Sequence, residues 1–159
     1  MAKSGCKILM VDDSDDDRAL FRVAVRKACE SLQLLAPVAD GEQAIRYLSG
    51  DSEFADRARH PYPELMVLDL KMPGKDGFDV LEWLRQQPNR PVTVVLSGSD
   101  HQRDMDRAFA LGAHYYHVKP SELNEWITTA LTIQSYMLGD LPPDSDGQPL
   151  AGALHMANP

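Results

Sequence analysis

Short apolar runs alternate along the chain with longer segments of helical period, the pattern of successive βαβ units around a parallel sheet. Five runs read as strands: Lys7 to Val11, Leu34 to Val38, Leu65 to Leu68, Val92 to Leu96 and Tyr115 to Val118. After Ser14, the residues Phe21, Ala24, Val25, Ala28 and Leu32 recur at helical spacing and predict a first helix with one apolar face. Shorter segments repeat the pattern: Gly41, Ala44, Ile45 and Leu48; Phe78, Leu81 and Leu84; Met105, Ala108, Phe109 and Gly112. A last helix carries Leu123, Trp126, Ile127, Ala130, Ile133 and Met137. Five strands, each followed by a helix, predict one α/β domain over residues 1–139: a doubly wound five-stranded parallel sheet with five helices. Ligands of such sheets bind at the carboxyl ends of the strands.

Two stretches fall outside the repeat. Residues 50–63 are longer than a usual connection and mix charges with two prolines, which predicts an irregular surface excursion before the third strand. Residues 140–159 hold four prolines and no lysine or arginine, and they predict a tail rather than an effector domain.

Composition narrows the function classes. Twenty-four acidic against sixteen basic side chains give a net charge of -8, which repels phosphate backbones and anionic lipid alike, so neither nucleic acid nor a membrane surface is an expected partner. No apolar run approaches the roughly 20 residues needed to span a bilayer, and no signal peptide is visible. Cys6 and Cys29 lack metal-ligand spacing and read as reduced thiols of a cytoplasmic protein. The five histidines show no pairing at metal-ligand spacing and read as surface or packing residues.

The chemistry lies at the strand ends. The first strand ends in Asp12 and Asp13, the third in Asp69, the fourth at Ser97 and the fifth at Lys119. Taken singly, each is a common cap or turn residue. Together they bring three carboxylates, a hydroxyl and an ammonium to one edge. Carboxylates so close repel one another, and their hard oxygens are the ligands Mg²⁺ prefers. Asp69, the central one, is the candidate nucleophile toward phosphorus, with Lys119 and Ser97 as donors to the phosphoryl oxygens. Asp15, Asp16 and Asp17 read differently, as first-turn acids favoured by the helix macrodipole, and are assigned no chemistry.

The sequence resembles the receiver domains of two-component response regulators over about residues 5–138. The likeness rests on Val11-Asp12-Asp13, Leu68-Asp69-Leu70-Lys71-Met72-Pro73-Gly74-Lys75-Asp76-Gly77, Leu96-Ser97-Gly98 and Val118-Lys119-Pro120. It implies a flavodoxin-like sheet of strand order 2-1-3-4-5. It also implies that Asp69 accepts a phosphoryl group from a sensor histidine kinase, and that Asp13, Asp69 and the Lys71 carbonyl ligate Mg²⁺ while Asp12 acts largely through water. By the same resemblance Ser97 and Tyr116 form the switch pair, Lys119 contacts the phosphoryl group, and the Lys119–Pro120 bond is cis. Ser97 stands where threonine is commoner, and the residue two after Asp69 is Lys71, a charge that bears on acyl-phosphate lifetime.

The long excursion, the tyrosine before the fifth-strand lysine and the run into Leu141-Pro142 are similar more specifically to stand-alone regulators paired with bacterial phytochrome kinases. That likeness implies self-association through the last strand and helix. Tyr116 is expected on the open side of the sheet, turning inward on phosphorylation, with Trp126 and Tyr136 offering aromatic contact area on the output face. A Mg²⁺-dependent phosphohydrolase using Asp69 as a transient nucleophile and a phosphate-independent docking module are the alternatives. The first lacks a second carboxylate placed as general acid; the intact Asp13, Asp69, Ser97 and Lys119 set argues against the second.

Overall fold

The computed structural model describes residues 5–138, with the strands β1 (Cys6–Val11), β2 (Leu32–Leu34), β3 (Leu65–Leu68), β4 (Val92–Ser97) and β5 (Tyr115–Val118). They form one parallel sheet in the order β2-β1-β3-β4-β5. The helices are α1 (Asp15–Ala28), α2 (Gly41–Ser49), α3 (Gly77–Leu84), α4 (Gln102–Ala110) and α5 (Leu123–Leu138). The expected fold, five parallel strands with five helices, and the strand order are therefore those found. The boundary at residue 139 and the tail beyond it lie outside the described residues.

Both faces of the sheet are covered, which is why its central strands read as continuous apolar runs. Alternation along each strand assigns side chains to one layer or the other. Leu9, Val11, Met66, Leu68, Val95 and Tyr116 face α2, α3 and α4, whereas Ile8, Met10, Leu65, Val67, Val94 and Leu96 face α1 and α5. Trp126 of α5 is fully buried in the second layer with Ala130 and Ile133, so it closes the core and offers no contact area at the surface.

Local chemistry fixes the helix starts. Ser14 caps α1 by accepting from the Asp17 amide, and Asp40 caps α2 by accepting from the Gln43 amide at 2.8 Å. At α3 the cap is reciprocal: Asp76 accepts from the Asp79 amide while the Asp79 carboxylate accepts from the Asp76 amide. Gly77 opens α3 where the chain after β3 folds back on itself. A Cβ there would lie 2.3 Å from the Asp69 carbonyl oxygen, so only glycine permits the approach.

The second strand lies earlier than its apolar run suggests. Leu32–Leu34 pair with β1, and Val38 keeps only a single bridge to Val11. Pro37 has no amide hydrogen to donate, which interrupts the ladder between them. The 50–63 excursion is not irregular throughout: a 3-10 turn over Ser52–Phe54 buries Phe54 against Tyr47, and the Arg57 guanidinium donates to the carbonyls of Tyr47, Leu48 and His60 at 2.7, 2.9 and 3.2 Å. Cys6 and Cys29 are free, and burial pushes both thiols up, Cys6 to about 12 with help from the neighbouring Glu64. No described helix is long and apolar enough to cross a membrane.

Candidate functional site

The parallel ladder brings the strand ends together. The Asp69 amide donates to the Val11 carbonyl at 2.9 Å and the Lys119 amide to the Ser97 carbonyl at 2.8 Å, so β1, β3, β4 and β5 end at a common edge. Asp12, Asp13 and Asp69 each place a carboxylate oxygen within 4.8 Å of the others. Asp12 and Asp69 are buried and Asp13 is exposed, so the cluster has a floor and an open rim.

Lys119 reaches across from β5. Its Nζ donates to Asp69 Oδ2 at 3.2 Å and to Asp17 Oδ2 at 2.7 Å. It also lies 2.9 Å from Asp12 Oδ2, an ion pair by distance that lacks hydrogen-bond alignment, and this leaves that buried oxygen without a hydrogen bond. The Lys119–Pro120 bond is trans, as is every described peptide bond, contrary to the cis form the resemblance implied. The four-carbon stem of the lysine spans the gap to Asp69 without that turn.

Burial raises the Asp69 carboxyl to about 6; Lys119 opposes the shift and Asp12 adds to it. Burial alone would favour neutral Lys119, but its hydrogen bond to Asp17, its close contact with Asp12 and the charges of Asp69 and Asp12 outweigh that and raise its pKa. The ammonium therefore stays charged. Lys119 pairs with three carboxylates, Asp12, Asp17 and Asp69, while Asp13 lies beside Asp12 and Asp69, so negative charge is in excess, and Asp12 Oδ2 has an ion pair but no hydrogen bond. This all-oxygen, net-negative donor set fits Mg²⁺, which takes carboxylates and waters in an octahedron. Lys71 directs its amide to Asp69 Oδ1 at 3.4 Å while its side chain is exposed.

Ser97 is fully buried and its Oγ accepts from the Ser99 amide at 3.2 Å. Tyr116 is fully buried too, not on the open side: its register partner Val95 faces the α3 and α4 layer, and alternation carries Tyr116 there against Phe109. Its hydroxyl donates to the Ser99 carbonyl at 2.7 Å. Tyr136 stacks on Tyr115 with ring centroids 3.5 Å apart and places its hydroxyl 2.6 Å from His117 Nε2.

Residues 8–131 match the family described as response regulator receiver domain. This chain belongs to that family. Among its relatives, response regulator Rcp1 of Synechocystis sp. is 30% identical over 133 residues, 82% of this chain and 88% of that protein. The solved structure of the phosphorylated cyanobacterial phytochrome response regulator RcpA is similar with a TM-score of 0.77 at 28% identity, over 87% of this chain and 98% of that one. The Mn(2+)-bound form of Rcp1 gives a TM-score of 0.74 at 29% identity, over 86% and 97% of the two chains.

The receiver site joins all the strand-end residues singled out in the sequence except Ser97, whose Oγ is bonded within its own loop. Three further residues take part. Asp17 holds Lys119, Ser99 links Ser97 to Tyr116, and Asp104 of α4 accepts from the Ser99 hydroxyl. The spacing Ser97-x-Ser99 was the one available signal for the second. Nothing in the helical period distinguishes Asp17 from Asp15 and Asp16.

Proposed function

We propose that Asp69 is the phosphoacceptor of a signalling receiver and that a histidine kinase supplies the phosphoryl group. The supporting observation is the Asp69 carboxylate, buried at the centre of the strand-end edge and hydrogen-bonded to Lys119. An Asp69 oxygen bonds to phosphorus as the phosphorus–nitrogen bond of the kinase phosphohistidine breaks, and the electron pair and a proton end on the imidazole. At neutral pH Asp69 is mostly ionised and therefore nucleophilic. Lys119 donates to the phosphoryl oxygens as charge builds on them, and Ser97 supplies its hydroxyl once its loop yields. Asp12, Asp13, Asp69 and the Lys71 carbonyl would hold Mg²⁺, which when bound would supply electrostatic stabilisation of the phosphoryl oxygens. The likeness to RcpA and Rcp1 supports a phytochrome-type kinase as the donor and a divalent metal as the cofactor.

Output runs through the face of α4, β5 and α5. Val118 on β5 and Leu131 on α5 are two of the three large exposed hydrophobic residues among those described, and β5 is an edge strand. That face is suited to a protein partner, including a second copy of the chain. Acetyl phosphate with Mg²⁺ should add one phosphate by intact mass to the wild type and none to Asp69→Asn. Full labelling of the asparagine variant would place the acceptor elsewhere.

A further inference from the structure

The Asp17–Lys119 contact has no counterpart in the strand-end set, and its geometry departs from what a first-turn acid usually does. In α3 the acid at the third helical position, Asp79, turns back to the cap amide. In α1 the equivalent acid is Asp17, and its backbone amide is held by the Ser14 cap in the same way. Its carboxylate, however, does not close the box. The Ser14 amide donates instead to Asp12 Oδ1 at 2.9 Å, which satisfies the cap from the other side and frees Asp17. Arg18 fixes this turn further by donating to the Asp12 carbonyl and to the Asp15 carboxylate. Asp15 and Asp16 are exposed, as macrodipole acids are, whereas Asp17 is only 25% exposed and its Oδ2 lies 2.7 Å from Lys119 Nζ. That is shorter than the 3.2 Å from the same ammonium to Asp69.

We infer that Asp17 is a positioning residue for Lys119: it shares the ammonium with Asp69 in the unphosphorylated protein and competes for it against an incoming phosphoryl group. The inference rests on the reading of Lys119 as a ligand of that group. An ammonium has three donors, and here its one charge is divided among three carboxylates. A phosphoryl group on Asp69 adds further negative charge at the same point and must draw Lys119 from Asp17 or share it. Asp17 therefore lowers the affinity of the site for anionic phosphoryl groups while keeping Lys119 ordered at the edge. The Asp17 carboxylate touches neither substrate nor Asp69 in this role; it acts through the lysine.

Two measurements on the full chain test this, one with the phosphoryl mimic beryllofluoride in saturating Mg²⁺ and one without metal. Asp17→Asn and Asp17→Ala should each bind beryllofluoride about fivefold more tightly than the wild type, as expected for removal of one half-buried opposing charge. Asp17→Glu should return to the wild-type value, which loss of a merely structural contact would not predict. In the metal-free protein, hydrogen exchange of the Lys119 ammonium, followed by nitrogen NMR, should quicken in Asp17→Asn and Asp17→Ala but not in Asp17→Glu. Unchanged ammonium exchange in Asp17→Asn would overturn the tether itself, whatever the phosphorylation chemistry. Beryllofluoride affinity equal to or below the wild type in both uncharged variants would overturn the competition. Failure of the wild type to accept phosphate from acetyl phosphate would instead remove the proposed function while the metal-free measurement still tests the tether.

Discussion

The Tyr116 hydroxyl donates to the Ser99 carbonyl at 2.7 Å, with the ring fully buried beside Phe109. The bond ties β5 to the loop after β4, because the Ser99 amide in turn donates to Ser97 Oγ and the Ser99 hydroxyl to Asp104 of α4. A ring already inside cannot turn inward as an output step. Beryllofluoride with Mg²⁺ should therefore leave Tyr116 buried, as ring contacts to Phe109 in NMR would show. Tyr116→Phe should lower stability to urea by about 1 to 2 kcal/mol, since it leaves a buried carbonyl without its donor. New solvent exposure of the ring on adding the mimic, or an unchanged urea midpoint for the phenylalanine variant, would contradict this picture.

Asp69 gives stability a dependence on pH. Its carboxyl is raised in the folded chain, to about 6, chiefly by burial. A raised folded-state value contributes stability that is fully present below the unfolded-state value and is lost as pH rises through about 6. The advantage of Asp69→Asn over the wild type, measured without metal, should therefore grow by up to about 3 kcal/mol between about pH 4 and about pH 7. Chemical denaturation across that range should show it; a difference that stays constant with pH would count against the burial of an ionised Asp69.

Mg²⁺ should relieve the same crowding. At a concentration about 100 times its dissociation constant the ion would add about 2.7 kcal/mol of stability. Asp13→Ala should weaken Mg²⁺ binding more than about tenfold in calorimetric titration, because Asp13 is the exposed member of the three-carboxylate cluster. In the wild type, affinity should fall as pH drops through about 6, where protons compete for Asp69. Wild-type affinity in Asp13→Ala would show that the ion sits elsewhere.

The excursion before β3 depends on Arg57, whose guanidinium serves three carbonyls at the end of α2 and within the excursion. Arg57→Ala should cost about 2 kcal/mol, since several half-buried acceptors lose one donor together. Amide exchange should quicken over residues 50–63 and leave the strand-end site unchanged. Equal protection in both proteins would show that the Phe54–Tyr47 packing alone holds the segment.

The sequence by itself determined the parallel sheet and the edge at which chemistry collects, because strand runs and helical faces are local patterns that burial on two sides imposes directly; the strand order came from the resemblance to receiver domains, since no local pattern records which strands are neighbours. Asp12, Asp13, Asp69 and Lys119 were legible for the same reason: each ends a strand, and parallel strands end together. What the tertiary structure alone decided were contacts between residues far apart in the chain. Asp17 reads as one of three equivalent acids until Lys119, more than a hundred residues later, arrives beside it. The side of the sheet taken by Tyr116 depends on its register with Val95, and the burial of Trp126 depends on α5 lying against α1. Arg57 reads as a surface charge in a long loop until the end of α2 presents its carbonyls. Periodicity records which way a side chain points from its own element; which partner it meets is set by how the elements pack.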